Sequence, residues 1–374
     1  MDQKKLAFGV MRLPLLDPTD TTKIDLEATN RMVDLFLERG FTYFDTAAPY
    51  HGGQSEHVVR ECLVKRHPRE SYTLTDKLSL FMLKEAGELE GFLAGQLERC
   101  GVDYFDYYLL HAMSKERLEQ AEAWGVFDFV AQKKAAGVLR HVGFSFHDRA
   151  EVLEEILERH PEMEYVQLQL NYLDWEDPEV QSRKCYEVCR KHNKPVLVME
   201  PVRGGLLTSL PWEAEAILKV KAPGASLASW AIRFAASQEG VFKVLSGMST
   251  LEQVEDNTAV LSDFRPLSRE EGETLKKVVE IIHSKELIAC TNCRYCVEGC
   301  PMGIAIPDYF KMMNHLSKFG PSQLPGVKKD YAQLTGEKGK GLASACVRCG
   351  QCEGACPQHL PVISHLESVA QTLE

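Results

Sequence analysis

Two groups of residues in this chain have types and spacings that can do chemistry. The first is an acid, a phenol, an amine and an imidazole: Asp45 and Tyr50 in FDTAAPYHGGQSE, Lys77 in LTDKL, and His111 in YYLLHAM. An ammonium beside a phenol favours the phenolate, so Lys77 is expected to lower the pKa of Tyr50. Asp45 would hold Lys77 charged, and His111 would donate a hydrogen bond to the oxygen that Tyr50 protonates. These groups together can move a proton to or from a carbonyl or alcohol oxygen.

The second group is a pair of cysteine runs near the end of the chain. CTNCRYCVEGCP and CVRCGQCEGACP both have the spacing CxxCxxCxxxCP, which is typical of proteins that bind two [4Fe–4S] clusters. The first three cysteines of each run bind one cluster, and the fourth binds the other. The predicted ligands are Cys290, Cys293, Cys296 and Cys356 for a first cluster, and Cys346, Cys349, Cys352 and Cys300 for a second. Structural zinc is the alternative, but paired CxxC knuckles leave half of these cysteines unexplained.

Composition restricts the class of protein. Twelve cysteines without a secretory signal favour metal binding over disulfides, and the four outside the runs are expected to be small buried residues: Cys62, Cys100, Cys185 and Cys189. No apolar run is long enough to span a bilayer, so we expect a cytoplasmic protein with no membrane partner. The net charge of −11, without any basic stripe, argues against a nucleic-acid partner.

The scaffold that must position these groups is predicted from hydrophobic periodicity. Short β-branched runs alternate with helical patterns, which is typical of βα units around a parallel sheet. Eight strands are predicted, at residues 6–10, 41–45, 72–77, 105–110, 142–145, 166–170, 196–200 and 241–246. This predicts an α/β fold in which a closed (β/α)₈ TIM barrel carries its functional residues at the C-terminal ends of the strands. An open doubly wound sheet is the alternative, but the first strand lacks a GxGxxG turn.

The periodicity changes after residue 257. LSREEGETLKKVVEIIHSKEL is predicted to be a connecting helix that begins with a capping box formed by Ser268 and Glu271. We therefore predict a barrel domain over residues 1–282 and a small, mainly helical, ferredoxin-like domain over residues 283–374.

Residues 1 to about 260 resemble the aldo/keto reductase family. The motifs that carry the resemblance are DTAAPYHGGQSE, LTDKL, LLHAM, GFSF, VQLQLNY and EPVRGGLL. The resemblance implies an oxidoreductase that reduces an aldehyde or ketone, or oxidises an alcohol, with NADP or NAD as cofactor. It also implies a catalytic tetrad of Asp45, Tyr50, Lys77 and His111, in which Tyr50 is the general acid. The cysteine-rich tail is similar to that of a bacterial branch of the family with two [4Fe–4S] clusters.

The same resemblance implies a set of cofactor contacts. Ser145 and Gln167 would contact the carboxamide, the loop EPVRGG would lie along the pyrophosphate, and Met199 stands where the family usually stacks an aromatic ring. Gly247 and Gln253 occupy places where many members hold the 2′-phosphate with basic residues, so the choice between NADP and NAD stays open. The full set is Val10, Met11, Arg12, Ser145, Gln167, Met199, Pro201, Arg203, Gly204, Gly247, Gln253 and Asn257.

Three functions remain open at this point, because hydride transfer moves two electrons and each cluster exchanges one. The first is an NAD(P)-dependent carbonyl reductase whose clusters fold the tail, sense redox state or contact a partner. The second is a reductase that receives electrons from a ferredoxin or another electron-transfer protein and uses an additional cofactor. The third is a redox-sensing protein without enzymatic activity.

Overall fold

The computed structural model describes residues 4–18, 20–285 and 287–374. In this part of the chain, eight parallel strands pair in chain order, and the last strand closes the barrel against the first. The strands are β1 (Leu6–Gly9), β2 (Tyr43–Asp45), β3 (Thr73–Leu78), β4 (Phe105–Met113), β5 (Leu139–Phe146), β6 (Val166–Gln169), β7 (Val196–Met199) and β8 (Val241–Gly247). Each predicted strand overlaps an observed one, and the predicted closed barrel is confirmed.

Helices alternate with the strands, as the periodicity predicts. They are α1 (Leu26–Glu38), α2 (Ser55–Val59), α3 (Leu89–Cys100), α4 (Lys115–Ala123), α5 (Val126–Ala135), α6 (Ala150–Arg159), α7 (Ser182–Lys191), α8 (Trp212–Lys221), α9 (Leu227–Ser237) and α10 (Leu251–Ser262). α1 begins where Asp25 accepts a hydrogen bond from the Ala28 amide, and it buries Met32, Val33 and Phe36 on one face.

A layer of buried apolar side chains lies on the N-terminal side of the strand ends that carry the polar residues. Its buried members are Ala7, Tyr43, Leu109, Tyr165 and Leu197. Successive side chains of a strand point to opposite faces, so a residue two positions further along lies on the same face. Asp45 follows Tyr43 by two positions, and His111 follows Leu109 in the same way. The polar groups therefore lie directly above this apolar layer.

Contacts divide the chain into two compact units. The first comprises Met1–Pro201 and Ser229–Pro266, and the second comprises Val202–Ala228 and Leu267–Glu374. The second unit contains α8 together with α11 (Arg269–His283), α12 (Tyr295–Glu298), α13 (Ile306–Phe319), α14 (Leu324–Thr335), α15 (Gln351–Gly354) and α16 (Val362–Leu373). The mainly helical character predicted for the tail is confirmed.

The second unit has its own apolar core, in which Tyr309 and Phe310 of α13 and Leu366 of α16 are almost completely buried. The capping box at the start of α11 is confirmed: Ser268 accepts from the Glu271 amide, and the Glu271 carboxylate accepts from the Ser268 amide.

Among the described residues, no helix is long and apolar enough to cross a membrane. The four cysteines outside the motifs are free and buried, as predicted: Cys62, Cys100, Cys185 and Cys189.

Candidate active site

Tyr50 is presented by a tight turn that follows β2. The turn spans Tyr50–Gly53, and its backbone is left-handed at His51 (φ 54°) and Gly52 (φ 59°). The neutral His51 ring anchors the turn, because its Nδ1 lies 2.8 Å from the Thr21 carbonyl oxygen and its Nε2 accepts from the Leu13 amide at 3.3 Å. Burial lowers the pKa of His51 and favours this neutral form. Tyr50 is thereby held at the end of the barrel strands.

Asp45 and Lys77 form a buried ion pair at the ends of β2 and β3. The Lys77 Nζ donates to Asp45 Oδ1 at 2.5 Å and to the Thr46 carbonyl oxygen at 2.7 Å. Both side chains are only 1% exposed. Burial raises the pKa of the Asp45 carboxyl, while the charge and hydrogen bond of Lys77 act in the opposite direction. A buried charge needs such a partner, because an unpaired one pays the full cost of leaving water.

The structure brings all four predicted catalytic residues to one place. The Lys77 Nζ lies 4.8 Å from the centre of the Tyr50 ring. The rings of Tyr50 and His111 are 6.1 Å apart between centres and meet edge to face at 86°. A phenol, an ammonium group and an imidazole therefore lie next to one another.

The expected direction of the Tyr50 pKa shift is wrong. Burial raises the pKa of Tyr50 well above its usual value, and the negative charges of Asp45, Asp76 and Glu200 raise it further. The charge of Lys77 is offset because Asp45 holds it in an ion pair. Tyr50 is therefore a protonated phenol at neutral pH, which is the form that can donate a proton.

His111 is neutral, and one of its ring nitrogens is occupied. Burial lowers its pKa well below the usual value, and the nearby charge of Lys77 acts in the same direction. The Nδ1 of His111 lies 2.7 Å from the Ser79 hydroxyl oxygen. If the hydroxyl donates to Nδ1, the ring proton resides on Nε2, which can then donate a hydrogen bond to a substrate oxygen.

Two predicted cofactor residues lie side by side on neighbouring strands. Ser145 of β5 and Gln167 of β6 are register partners, and both are buried. The Ser145 hydroxyl oxygen accepts a 2.7 Å hydrogen bond from the Ala112 amide, which leaves its own proton to donate. A hydroxyl next to a carboxamide offers both donors and acceptors, and these fit the carboxamide of a nicotinamide.

The first loop and the end of β7 carry further predicted cofactor residues. Val10, Met11 and Arg12 form a short 3₁₀ turn directly after β1, and Arg12 Nη2 lies 3.3 Å from Glu200 Oε1. Met199 is the last residue of β7, and the buried Pro201 ends the first segment of the first compact unit. Pro201 follows Glu200, whose backbone is left-handed (φ 54°). Unlike an aromatic ring, the Met199 side chain offers a flexible thioether surface for packing.

The residues predicted near a 2′-phosphate lie at the end of β8 and on α10. Gly247 ends β8 and lies against the side chain of Arg12, since an added Cβ would meet Arg12 Cδ at 3.0 Å. Gln253 folds back on the chain, and its Oε1 accepts from the Ser249 amide at 2.7 Å. The buried Asn257 donates to the Ser246 hydroxyl at 3.0 Å. Residues 247–257 contain no lysine or arginine.

Arg203 and Gly204 belong to the second compact unit rather than to the barrel unit. They begin a turn over Arg203–Thr208 that contains left-handed backbone at Arg203 (φ 48°), Gly204 (φ 61°) and Gly205 (φ 92°). The predicted pyrophosphate loop therefore runs from one unit into the other.

The cysteines of the first predicted ligand set lie together. The pKa of the buried Cys296 thiol is raised by burial and then by Cys293, Cys290 and Cys356, so the fourth neighbour comes from the other motif. The Asn292 amide points at Cys290 Sγ, 3.4 Å away. Amide hydrogen bonds of this kind stabilise cluster sulfurs.

The second predicted ligand set lines a small pocket. Cys300, Cys346, Cys349 and Cys352 all face it, together with apolar residues such as Ile304. The two motifs also share a backbone conformation, because Asn292 and Arg348 have φ near 55°, and Arg294 and Gly350 are left-handed as well. Alternating left-handed residues turn amide groups inward, as in many anion and iron–sulfur sites. The cysteine donors and these loops fit [4Fe–4S] clusters.

Comparison with known proteins agrees with this fold and with the cysteine-rich tail. Residues 5–280 match the model of the "Aldo/keto reductase family", and residues 289–360 match that of a "4Fe-4S dicluster domain". The chain is 26% identical to the NADH-specific methylglyoxal reductase of Escherichia coli over 298 residues, which cover 66% of this chain and 88% of that protein.

Solved structures give the same fold. The holo form of an aldo-keto reductase from Bacillus halodurans is 26% identical, with a TM-score of 0.57, over 73% of this chain and 91% of that one. An aldo/keto reductase from Klebsiella pneumoniae in complex with NADP and acetate is 20% identical, with a TM-score of 0.58, over 74% and 91% of the two chains. This second likeness concerns the fold.

This chain belongs to the aldo/keto reductase family and carries a C-terminal 4Fe–4S dicluster domain. It is an oxidoreductase, and its family relatives are named as reductases and dehydrogenases.

Sequence reasoning missed three residues that position the site: Ser79, Glu200 and His51. Ser79 lies two positions beyond Lys77, so strand alternation could have placed it on the same face. Glu200 stands at the end of the seventh predicted strand, where polar residues are informative. His51 gave no comparable signal, because its two partners lie in the first loop.

Proposed function

We propose that this protein reduces the carbonyl group of a small aldehyde or ketone with NADH or NADPH, and oxidises the alcohol in the reverse direction. The observation that carries the proposal is the buried Asp45–Lys77 ion pair beside Tyr50, with the edge of the His111 ring facing the phenol. A bound nicotinamide would supply a hydride to the carbonyl carbon. The protein has to supply a proton to the oxygen.

In this proposal Tyr50 donates that proton. Its raised pKa keeps the phenol protonated until negative charge develops on the substrate oxygen. The Lys77 ammonium, close to the ring, stabilises the phenolate that remains after the transfer only in part, because Asp45 shares its charge. Asp45 holds the ammonium in place from the other side, and solvent then returns a proton to Tyr50.

His111 orients the substrate. Its low pKa keeps the ring neutral, so it donates a hydrogen bond without competing with Tyr50 as an acid. The bond to Ser79 fixes the ring and leaves Nε2 for the substrate oxygen.

The cofactor would be held by Ser145 and Gln167 at the carboxamide, by the first loop next to Arg12, and by the Arg203–Gly204 turn at the pyrophosphate. Binding of NADP by the Klebsiella structure supports a nicotinamide dinucleotide as cofactor. The absence of basic residues in 247–257 and the exposed Glu252 favour NADH over NADPH, because a 2′-phosphate would meet negative charge.

The proposal is tested by anaerobic assays of NADH and NADPH oxidation with a panel of aldehydes and ketones. The panel should include methylglyoxal, which the name of the Escherichia coli relative suggests. We expect turnover with NADH that is lost in Tyr50→Phe. Full turnover in that variant would exclude Tyr50 as the acid.

A ferredoxin-linked reductase is the second candidate function. It is favoured by the exposure of Cys349 in the second predicted ligand set. Cys349 is exposed, and the apolar residues near it, Val347 and Met302, are 59% and 38% exposed. A cluster held there would be accessible to an electron carrier. Carbonyl reduction with a reduced viologen dye, and none with nicotinamides, would support this candidate over the first.

A further inference from the structure

The chain segment that follows β7 packs against the cysteine-rich region within the second compact unit. Lys285 Nζ lies 3.0 Å from Glu213 Oε1, and Lys318 Nζ donates to the Ser209 carbonyl oxygen. Lys318 is largely buried, and burial lowers its pKa to about 8. Residues 202–228 are thus part of the same packed body as the cysteine motifs.

One very close backbone approach in this body joins Gly204 to Thr291. A Cβ added to Gly204 would lie 2.0 Å from the Thr291 carbonyl oxygen, 2.4 Å from its carbonyl carbon and 2.7 Å from its Cα. All three are backbone atoms, so no side-chain rotation could relieve the clash. Thr291 itself is 2% exposed. Only glycine allows the two backbones to touch here.

The two partners belong to different predicted sites. Gly204 lies in the turn proposed to bind the cofactor pyrophosphate, next to Arg203. Thr291 lies between Cys290 and Cys293, two of the predicted ligands of the first cluster. A single backbone contact, from Thr291 to Gly204, therefore joins the loop that carries Cys290 to the turn proposed to bind the cofactor.

The conformation of the turn explains why this contact matters. Arg203, Gly204 and Gly205 are all left-handed, and a non-glycine residue such as Arg203 keeps this conformation only where its surroundings impose it. The Cys290–Cys293 loop is such a surrounding as long as its cysteines are tied to a cluster. Without the cluster, the loop loses its ligand bonds, and the Thr291 backbone that contacts Gly204 is no longer fixed.

We propose that Thr291 is a positioning residue, through which the first cluster holds the Arg203–Gly204 turn in the shape that binds the dinucleotide. The inference rests on the proposed function, in which that turn contacts the pyrophosphate. It links the clusters to cofactor affinity without any electron passing between them. Linkage is reciprocal, so the dinucleotide must in turn stabilise the first cluster.

The first test measures NADH affinity by fluorescence titration of the anaerobic, cluster-loaded protein. Gly204→Ala is compared with Gly339→Ala, which has the same φ of +61° but open space around the added Cβ. We expect Gly204→Ala to weaken NADH binding by roughly tenfold, within the usual range of coupling between sites. Gly339→Ala should bind like the unaltered protein, and equal losses in the two variants would overturn the inference.

The second test distinguishes an effect of the first cluster on cofactor binding from a direct effect of the Gly204 substitution on the cofactor. Release of iron to a chelator is followed in the cluster-loaded protein with and without NADH. We expect two phases, of which NADH slows only one, and we expect Gly204→Ala to abolish this protection. If NADH slows neither phase or both equally, the first cluster is not linked to the turn.

The two proposals fail in different ways. Failure of the unaltered protein to bind NADH or NADPH would reject the proposed function. NADH binding and turnover with no effect on iron release would leave that function intact and reject the link.

Discussion

The Oγ of Ser79 lies 2.7 Å from Nδ1 of His111, and both side chains are buried at the ends of β3 and β4. In the proposed mechanism, this bond leaves Nε2 of His111 to face the substrate. The position of the proton on the His111 ring should therefore depend on Ser79.

Replacing Ser79 with alanine should lower kcat without loss of the fold. The His111 ring would then be free to place its proton on either nitrogen, and the donor to the substrate oxygen would be present only part of the time. We expect a decrease of roughly tenfold, smaller than the 10²–10⁴-fold contribution typical of a general acid or base. Steady-state kinetics of Ser79→Ala and His111→Gln make the comparison, and a Ser79→Ala enzyme at full rate would show that the bond is dispensable.

Tyr50→Phe should reduce turnover by at least about 10²-fold while leaving NADH binding in place, because only the proton donor is removed. Tyr43→Phe is the matched control. Tyr43 is also a buried tyrosine with a raised pKa, but it belongs to the apolar layer beneath the site. Comparable losses of activity in the two variants would mean that any buried phenol, and not Tyr50 in particular, is needed.

Acid should destabilise the protein partly through His111. Its pKa in the folded state is lowered, so the unfolded chain binds an extra proton as the pH falls below about 6.5. Stability from the neutral ring is therefore present above that pH and is lost on acidification, by up to about 1.4 kcal/mol per pH unit. Denaturant unfolding between pH 7 and 5 should show a shallower loss in His111→Asn. Asp45, whose pKa is raised, acts in the opposite sense but is common to both proteins.

Gln253→Arg should shift the cofactor preference towards NADPH. The side-chain oxygen of Gln253 accepts a hydrogen bond from the Ser249 backbone N–H. A guanidinium in its place would pair with a 2′-phosphate. We expect KM for NADPH to fall by roughly tenfold, with little change for NADH. Gln253→Ala serves as the control, since it removes the amide without adding charge. If KM for NADPH falls as much in the alanine variant as in the arginine variant, the added positive charge is not the cause.

The crossing of ligands between the two cysteine runs can be tested by single substitutions. Cys356→Ser should disturb the first cluster although Cys356 lies in the second run, because its sulfur neighbours Cys296. Iron analysis should give about eight iron atoms in the unaltered protein, as two [4Fe–4S] clusters require, and fewer in the variant. Stoichiometric zinc without iron would reject the clusters altogether.

Much of the barrel could be predicted from the sequence, because burial on both faces makes each strand a compact apolar run. The ends of those runs also located Asp45, Lys77 and His111. The direction of the Tyr50 pKa shift could not be predicted, since it depends on burial and on Asp45 neutralising Lys77. Both effects arise from packing between strands that are distant in the chain.

The cysteine spacing predicted that Cys356 of the second run lies near Cys296 of the first, because this spacing exchanges the fourth cysteine between the two runs. The role of these cysteines as cluster ligands stays a prediction. The partners of Arg203 and Gly204 were not readable, since no periodicity shows that residues 202–228 pack against residues near 291. The assignment of these residues to the cofactor, and the domain boundary between residues 282 and 283, stay predictions.

Gly204 also bears on how the chain can be divided. This stretch from the middle of the chain has a glycine where the backbone of Thr291, in the cysteine-rich tail, leaves no room for a side chain. Residues 202–228 belong to the same compact unit as the tail. Cutting the gene after codon 282 would therefore remove Thr291 and expose backbone around Gly204 that is covered in the intact chain.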